Sequence, residues 1–280
     1  MTQALGRETL FDDLPCISTV EYHAAIGSTN DRARQLAQLG APEIALISAD
    51  EQTAGRGRQG RSWFTPPGTA LAFSLLTRPA IAAHQAMRLT MLAGLAVVEG
   101  IERATHLRLA LKWPNDVVVI SDERSTMMNE GNSSHPPQAT RKVGGILTEC
   151  TFQNDLVDYA VIGIGLNVNV DFSQQVELRE IATSLMQLAG REMDRRAVLK
   201  AIVAALVDRY VGLADDKRLQ EAWAARLINL GRPIRVSLND QIVEGYAEGV
   251  DHDGALLLRT GAGRVQRLLT GDVTLHHLNQ

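Results

Sequence analysis

Two apolar runs, EIALISAD at Glu43–Asp50 and TALAFSLLTRP at Thr69–Pro79, read as buried strands, and between them the chain loses all apolar periodicity. Upstream, a short strand at Thr19–Ala24 leads into IGSTN. There Ser28, Thr29 and Asn30 are good N-cap types for a helix with apolar residues at Ala33, Leu36, Ala37 and Leu39 and a stop at Gly40. Downstream, residues 83–105 read as a helix apolar on several sides, and therefore deep. Leu107–Leu111 reads as a strand, Lys112–Asp116 (KWPND) as a turn bent by Pro114, and VVVI from Val117 as the next strand. KVGGILTEC from Lys142 and DYAVIGIGLNVN from Asp158 to Asn169 add two more. Their glycines, Gly144, Gly145, Gly163 and Gly165, mark places where another group packs against the backbone, and Asn167 and Asn169 share a face by period two. An irregular segment from Val170 to Leu185 precedes two expected helices, Arg195–Leu213 and about Asp215–Asn229. After Gly231, short strands alternate with Gly, Asn and Asp turns, a texture that predicts a small SH3-like barrel.

This pattern divides the chain into a tail (1–17), a main domain (18–229) and a C-terminal domain (230–280). Residues 121–141, SDERSTMMNEGNSSHPPQATR, have no periodicity and are too long for a hairpin connection, so they read as a surface insertion.

Composition narrows the function classes. Apolar residues make up 45% and charged residues 21%, as in an ordinary globular protein, and the net charge of −4 argues against a general nucleic-acid binder. The two cysteines, Cys16 and Cys150, lie far apart and suggest neither a disulfide framework nor a zinc site. His276 and His277 read as an exposed strand end. The N-terminus has no cationic start before an apolar run, and no apolar stretch approaches the roughly 20 residues that span a bilayer, so a cytoplasmic, non-membrane protein is expected.

Positive charge gathers in the aperiodic stretch between the first two runs, EQTAGRGRQGRSWF at Glu51–Phe64. Gly55, Gly57 and Gly60 alternate there with Arg56, Arg58 and Arg61, before Trp63. Glycines expose backbone N–H groups and arginines present forked donors, so the loop can wrap an anion; a solvated basic loop is the plainer alternative. It is not a nucleotide hydrolase phosphate loop, because GxxxxGK[ST] is missing.

GRGRQGRSW resembles the GRGRxGRxW signature of the biotin protein ligases. KWPND, KVGGILTE at Lys142–Glu149 and GIGLNVN at Gly163–Asn169 follow in that family's order, so that the likeness covers most of the chain. The resemblance implies an α+β fold: a mixed or antiparallel sheet flanked by helices, class II synthetase-like, of the biotin/lipoate ligase catalytic type, with an SH3-like C-terminal barrel. It implies that biotin and ATP give biotinoyl-5'-adenylate and pyrophosphate, and that a lysine of a biotin carrier protein then displaces AMP. Mg2+ would accompany ATP, with no metal ligands from the protein alone.

On that likeness Lys142, Arg58 and Asp116 are the catalytic candidates, with Lys142 on the biotin carboxylate and the α-phosphate. Biotin is expected to meet Ser28, Thr29, Asn30, Gln52, Arg56, Gly57, Arg58, Lys142, Gly144 and Gly145. The adenylate is expected to meet Arg56, Arg58, Arg61, Trp63, Asn115, Lys142, Asn167 and Asn169. Trp63 and Trp113 are candidates for packing on adenine or the thioether ring, and Asp116 for orienting the incoming lysine or taking its proton. The segment ending in ATSL would be a second loop over the nucleotide, and the glycine-arginine loop is expected to order on binding. The short N-terminus leaves no room for a helix-turn-helix module, so no specific DNA binding is expected, and a homodimer stays open. Rival readings are a lipoate or octanoate ligase or transferase of the same fold, and a non-catalytic biotin-binding regulator. The ligase reading requires Lys142 and the loop to share one side of the sheet.

Overall fold

Strands β2 (Ala45–Ala49) and β3 (Ala70–Thr77) are buried at every position, as strands covered on both faces must be. In the computed structural model, which describes residues 8–14, 16–120, 140–213, 218–238 and 241–275, they belong to a seven-stranded sheet. Its other members are β1 (Thr19–His23), β4 (Ala110–Lys112), β5 (Asp116–Ile120), β6 (Thr140–Gln153) and β7 (Leu156–Asn167), in the order β1-β2-β3-β7-β6-β5-β4. Only β1 and β2 pair in parallel; every other neighbour is antiparallel, so the sheet is mixed as expected.

Alternation along the strands sends side chains to two layers. Ala45, Ile47 and Leu76 pack on Ala33 and Ala37 of helix α1 (Thr29–Gln38). Leu46, Leu71, Phe73 and Leu75 pack in the main core with helices α2 (Met87–Thr105) and α4 (Arg195–Val211). A Cβ at Gly100 would lie 2.5 Å from Ile202 Cα, so glycine is what lets α2 and α4 cross in direct backbone contact.

The second sheet holds β8 (Pro233–Leu238), β9 (Gln241–Val250), β10 (Leu256–Thr260), β11 (Val265–Leu268) and β12 (Asp272–Leu275), all antiparallel, in the order β11-β10-β9-β8-β12. Strands β11 and β12 end the sheet, and among the described residues no pairing joins them. The expected C-terminal domain of short strands is thus a five-stranded antiparallel sheet, with no closure into a barrel among the described residues.

Several boundaries differ from expectation. The strand placed at Leu107–Leu111 is the three-residue β4, and the expected helix to Asn229 is only α5 (Leu219–Ala224). Both follow from one contact: Leu111 N–H donates to Arg226 O at 2.9 Å and Ile228 N–H to Leu111 O at 2.9 Å, which draws residues 225–229 out of the helix and alongside β4. A short helix α3 (Leu185–Ala189), capped by Ser184, was not expected. The insertion as far as residue 139, the first seven residues of the tail, and His276 and His277 lie outside the described residues.

Candidate functional site

The glycine-arginine loop leaves β2 and returns on itself. Gly57 N–H donates to Arg61 O at 2.6 Å and Trp63 N–H to Gly55 O at 2.8 Å. A Cβ at Gly55 would meet Trp63 O at 2.7 Å, and the tip passes through left-handed backbone at Gln59 (φ 55°) and Gly60 (φ 73°). Glycine permits the two limbs to close, and the loop then roofs a cavity of about 370 Å³, within the usual range for small-ligand sites.

The floor is built by sheet register. Asp116 pairs with Gly145 and Gly145 with Gly165, while Gly163 lies between Leu147 and Ser74, so glycines on adjacent strands leave a trough. The Trp63 indole lies in it: a Cβ at Gly165 would stand 2.3 Å from Trp63 Nε1. Between Val117 and Val118 the β5–β6 register slips by one residue, and this bulge turns Lys142 to the same face as Gly145. Backbone bonds to the crossover, Lys142 N–H to Ile181 O at 2.8 Å and Thr183 N–H to Lys142 O at 2.9 Å, hold it there.

One end of the cavity is polar and neutral. Ser28 caps α1, and Gln52 Oε1 accepts from Thr29 N–H at 2.9 Å and from Thr29 Oγ1 at 3.1 Å. The Ser74 hydroxyl reaches Thr29 Oγ1 at 2.7 Å and Asn30 Oδ1 at 2.6 Å, and Asn30 Nδ2 donates to Glu149 Oε2 at 2.7 Å. A helix start with short polar side chains fixed in this way offers a rigid set of donors and acceptors to a small polar ring.

The other end is cationic. Lys142 Nζ lies 2.6 Å from Asp116 Oδ1 and 5.3 Å from the centre of the Trp63 ring, while Lys112 Nζ lies 3.8 Å from Asp116 Oδ2. Arg58 donates to Asn115 Oδ1 at 3.1 Å and, across to the second sheet, to Thr270 Oγ1 at 2.5 Å and Gly271 O at 3.4 Å. Arg61 pairs with Asp272. Burial lowers the pKa of both Arg58 and Lys112, and the Asp116 carboxylate opposes the shift in each. Five cationic side chains, Arg56, Arg58, Arg61, Lys112 and Lys142, thus line the cavity against two carboxylates, Asp116 and Asp272, and with Arg56 paired to Asp31 a surplus remains that suits an anion.

The structure therefore gathers Ser28, Thr29, Asn30, Gln52, Arg56, Gly57, Arg58, Arg61, Trp63, Asn115, Asp116, Lys142 and Gly145 around one space. It does not bring Gly144, Asn167 or Asn169 there. Gly144 sits under Gly165 O, where a Cβ would come to 2.8 Å. Asn167 Nδ2 donates to Thr183 O at 3.1 Å, and the Asn169 amide makes two 2.9 Å bonds with the Met193 backbone, so the two asparagines pin the chain on either side of α3. Trp113 stands in the cavity wall but is fully buried, with Nε1 donating to Gly254 O at 3.0 Å, and it joins the main core to the second sheet. Of the segment over the nucleotide, Leu178 and Ile181 do line the cavity, but Thr183 and Ser184 of ATSL are buried beneath it. Arg56 is already bonded through both its terminal nitrogens to Asp31, at 2.6 and 2.8 Å.

Three positions at the cavity were not among the expected site residues: Lys112 and Asp272 on the wall and Glu149 behind it. Two had a signal, since Glu149 follows Gly145 and Leu147 at period two and Lys112 stands four residues from Asp116 across a tight turn. Asp272 reaches the site from the far end of the chain and had none. Among the described residues no group of three or more His, Cys, Asp or Glu side chains is placed to hold a metal.

A mixed sheet carrying a trough of glycines, roofed by a cationic loop and completed by a second sheet, defines a protein that clasps a small ligand with a neutral polar head and an anionic end. The chain belongs to the biotin/lipoate A/B protein ligase family, whose model matches residues 22–167, and residues 230–275 match the biotin protein ligase C terminal domain. It is 37% identical to the bifunctional ligase/repressor BirA of Bacillus subtilis, over 91% of this chain and 73% of that one. It is 34% identical to the biotin--[acetyl-CoA-carboxylase] ligase of Paracoccus denitrificans, over 86% of this chain and 94% of that one. Among solved structures it is similar to the biotin protein ligase from Aquifex aeolicus in complex with biotin and ATP, with a TM-score of 0.71 and 26% identity over 92% of this chain and 98% of that one.

Proposed function

We propose that this chain activates biotin with ATP and transfers it to a lysine of a biotin carrier domain. The observation that carries the reading is the meeting of Lys142 with the glycine-arginine loop over one cavity that holds more positive than negative charge. A carboxylate approaching the α-phosphate of a polyanion is opposed by Coulomb repulsion, and preorganised cations remove that opposition; one well-placed donor contributes about 3 to 4 kcal/mol.

In the first step a biotin carboxylate oxygen bonds to the α-phosphorus and pyrophosphate leaves with the electron pair of the broken bond. Lys142, oriented by Asp116, stands between the reacting groups. Thr29, Asn30 and Gln52 receive the ureido ring end. Arg58, tied to both Asn115 and the second sheet, closes the roof over the mixed anhydride and keeps water from it. In the second step the neutral carrier amine attacks the acyl carbon, the bond to the phosphate oxygen breaks, AMP leaves with its electron pair, and the amine gives up a proton to solvent. The short Asp116–Lys142 contact supports an orienting role for Asp116 over service as a free base. Mg2+ would come with the nucleotide and neutralise phosphate charge. The match of residues 230–275 to the biotin protein ligase C terminal domain favours biotin over lipoate. A cytoplasmic location fits this reading, and among the described residues no helix is long and apolar enough to cross a membrane.

Incubation with ATP, biotin and a biotin carrier domain, read with streptavidin, tests the proposal. Labelled carrier is the expected result; labelling with lipoate but not biotin overturns it. In the same assay Lys142→Ala should lose adenylate formation by about 100-fold or more while remaining folded, one removed charge contact being worth that much. Pyrophosphate release by the folded variant at the wild-type rate would remove Lys142 from the mechanism.

A further inference from the structure

Asn30 stands between the polar end of the cavity and a cluster of charges behind it. Its Nδ2 donates to Glu149 Oε2 at 2.7 Å and to Leu147 O at 3.3 Å, and its Oδ1 accepts from the Ser74 hydroxyl at 2.6 Å. Glu149 Oε1 accepts in turn from Arg34 Nη2 at 2.8 Å, and Arg56 Nη2 lies 3.5 Å from Oε2. A carboxylate only accepts hydrogen bonds, so Glu149 settles which way the Asn30 amide faces; Leu147 O agrees but is the more distant partner. Everything nearer the cavity follows by counting protons. Ser74 has one, and with Oδ1 turned toward it that proton goes to Asn30. The 2.7 Å contact between Ser74 and Thr29 is then carried by the Thr29 hydroxyl, whose proton is drawn to Ser74 and away from Gln52 Oε1 at 3.1 Å. Gln52 Oε1 keeps one strong donor, the Thr29 N–H at 2.9 Å, and with it a spare lone pair on the wall that Gln52 and Thr29 form.

We propose that Glu149 is a positioning residue that sets the direction of this hydrogen-bond chain and so makes the polar end of the cavity an acceptor for ring N–H groups. The inference rests on the reading that the biotin ureido ring occupies that end, and it adds a residue that stands behind the wall and touches no substrate. Turn the Asn30 amide over and the chain runs backward: Asn30 Nδ2 donates to Ser74, Ser74 to Thr29 and Thr29 to Gln52 Oε1. That oxygen then carries two donors and has no lone pair left for a ligand. No proton is gained or lost, yet a ring with N–H groups now meets filled acceptors and leaves its donors unsatisfied.

Glu149→Gln supplies the test, because its carbonyl oxygen goes to the charged Arg34 donor and its Nε2 turns to Asn30, donor against donor. Adding Arg34→Met frees that oxygen for Asn30 and restores the direction, since Arg56 is held by Asp31 through both terminal nitrogens. Full-length proteins, shown folded by thermal melting, would be titrated with biotin and with the cyclic carbonate in which oxygen replaces both ring N–H groups. Biotin affinity should fall about 10- to 100-fold in Glu149→Gln, with KM for biotin rising to match, while carbonate affinity and KM for ATP stay within about threefold of wild type. The double variant should bind biotin within about threefold of wild type. Ser74→Ala cuts the chain with Glu149 in place and should show the same selective loss, so the outcome does not hang on one variant folding. Unchanged biotin binding in Glu149→Gln, an equal loss for biotin and carbonate, or a double variant no better than the single would overturn the assignment. A wild-type protein that does not bind biotin would instead overturn the reading on which it rests.

Discussion

Gly163 is where the polar end of the cavity is most exposed to a single methyl group. A Cβ there would fall 2.1 Å from Asn30 Oδ1, 2.8 Å from its Cγ and 3.0 Å from its Nδ2, inside every contact limit. Gly163 is not among the positive-φ residues, so alanine meets no backbone penalty and the effect of Gly163→Ala is steric. The Asn30 amide must leave and gives up its bonds to Ser74 Oγ (2.6 Å) and Glu149 Oε2 (2.7 Å). The neutral bond is worth about 1 kcal/mol and the charged one about 1.5 to 3 kcal/mol. Crowding in a packed interior costs about 1 to 3 kcal/mol, and partial relaxation brings the expected total to about 3 to 6 kcal/mol, a large part of the roughly 5 to 15 kcal/mol that holds a domain folded. Urea titration should show a lowered midpoint at constant slope, and biotin titration a loss of affinity, since the displaced amide lines the cavity. Asn30→Ala removes the clash and the bonds together, so the double variant should be no less stable than Asn30→Ala alone. A loss below about 1 kcal/mol in Gly163→Ala, or additive losses in the double variant, would refute the steric account.

Two further outcomes follow from the loop's contacts. Arg58→Gly removes the bonds to Asn115, Thr270 and Gly271, each worth about 1.5 to 3 kcal/mol when made by a charged donor. Free biotinoyl-5'-AMP should accumulate in solution at least about tenfold faster, measured by chromatography of the filtrate, and retention equal to wild type would dismiss the roof. Asp31 is held below its ordinary value of 3.8 chiefly by the hydrogen bond from Arg56. A depressed carboxylate stabilises the fold above its unfolded value and stops doing so as pH falls through the folded one. The melting difference between wild type and Asp31→Asn should therefore hold steady from pH 7 to 5 and close below 3.8; a difference already gone at pH 5 would contradict the assignment.

The central strands, the deep helix α2 and the cap at Ser28 were legible in the sequence because each is a local signal: a continuous apolar run, a broad apolar face, a short polar residue before a helix. The site residues of the loop and of Lys142 were legible only through their resemblance to a family, since an alternation of arginine and glycine is equally a solvated loop. What the pattern concealed was long-range. The register slip that turns Lys142 toward Gly145 depends on pairing between β5 and β6. Asn167 and Asn169 alternate correctly for a cavity-facing strand, yet β7 ends at Asn167 and backbone on either side of α3 claims both amides. Trp113 was legible as a ring beside the site, but its full burial and its bond to Gly254 O depend on packing against residues far along the chain. The short α5 has the same origin: Arg226 and Ile228 exchange backbone hydrogen bonds with Leu111 of β4, a partner far away in sequence.

The grip of Thr270, Gly271 and Asp272 on Arg58 and Arg61 has a consequence for synthesis and decay of the protein. A chain halted on the ribosome or clipped before β12 would still carry Lys142 and the trough, the groups to which the proposed function assigns the first step. It would lack the hand that keeps the cover shut. On the proposed ligase reading, such a fragment would release its acyl adenylate onto nearby amines, so restraint would be added only after the reactive site is complete.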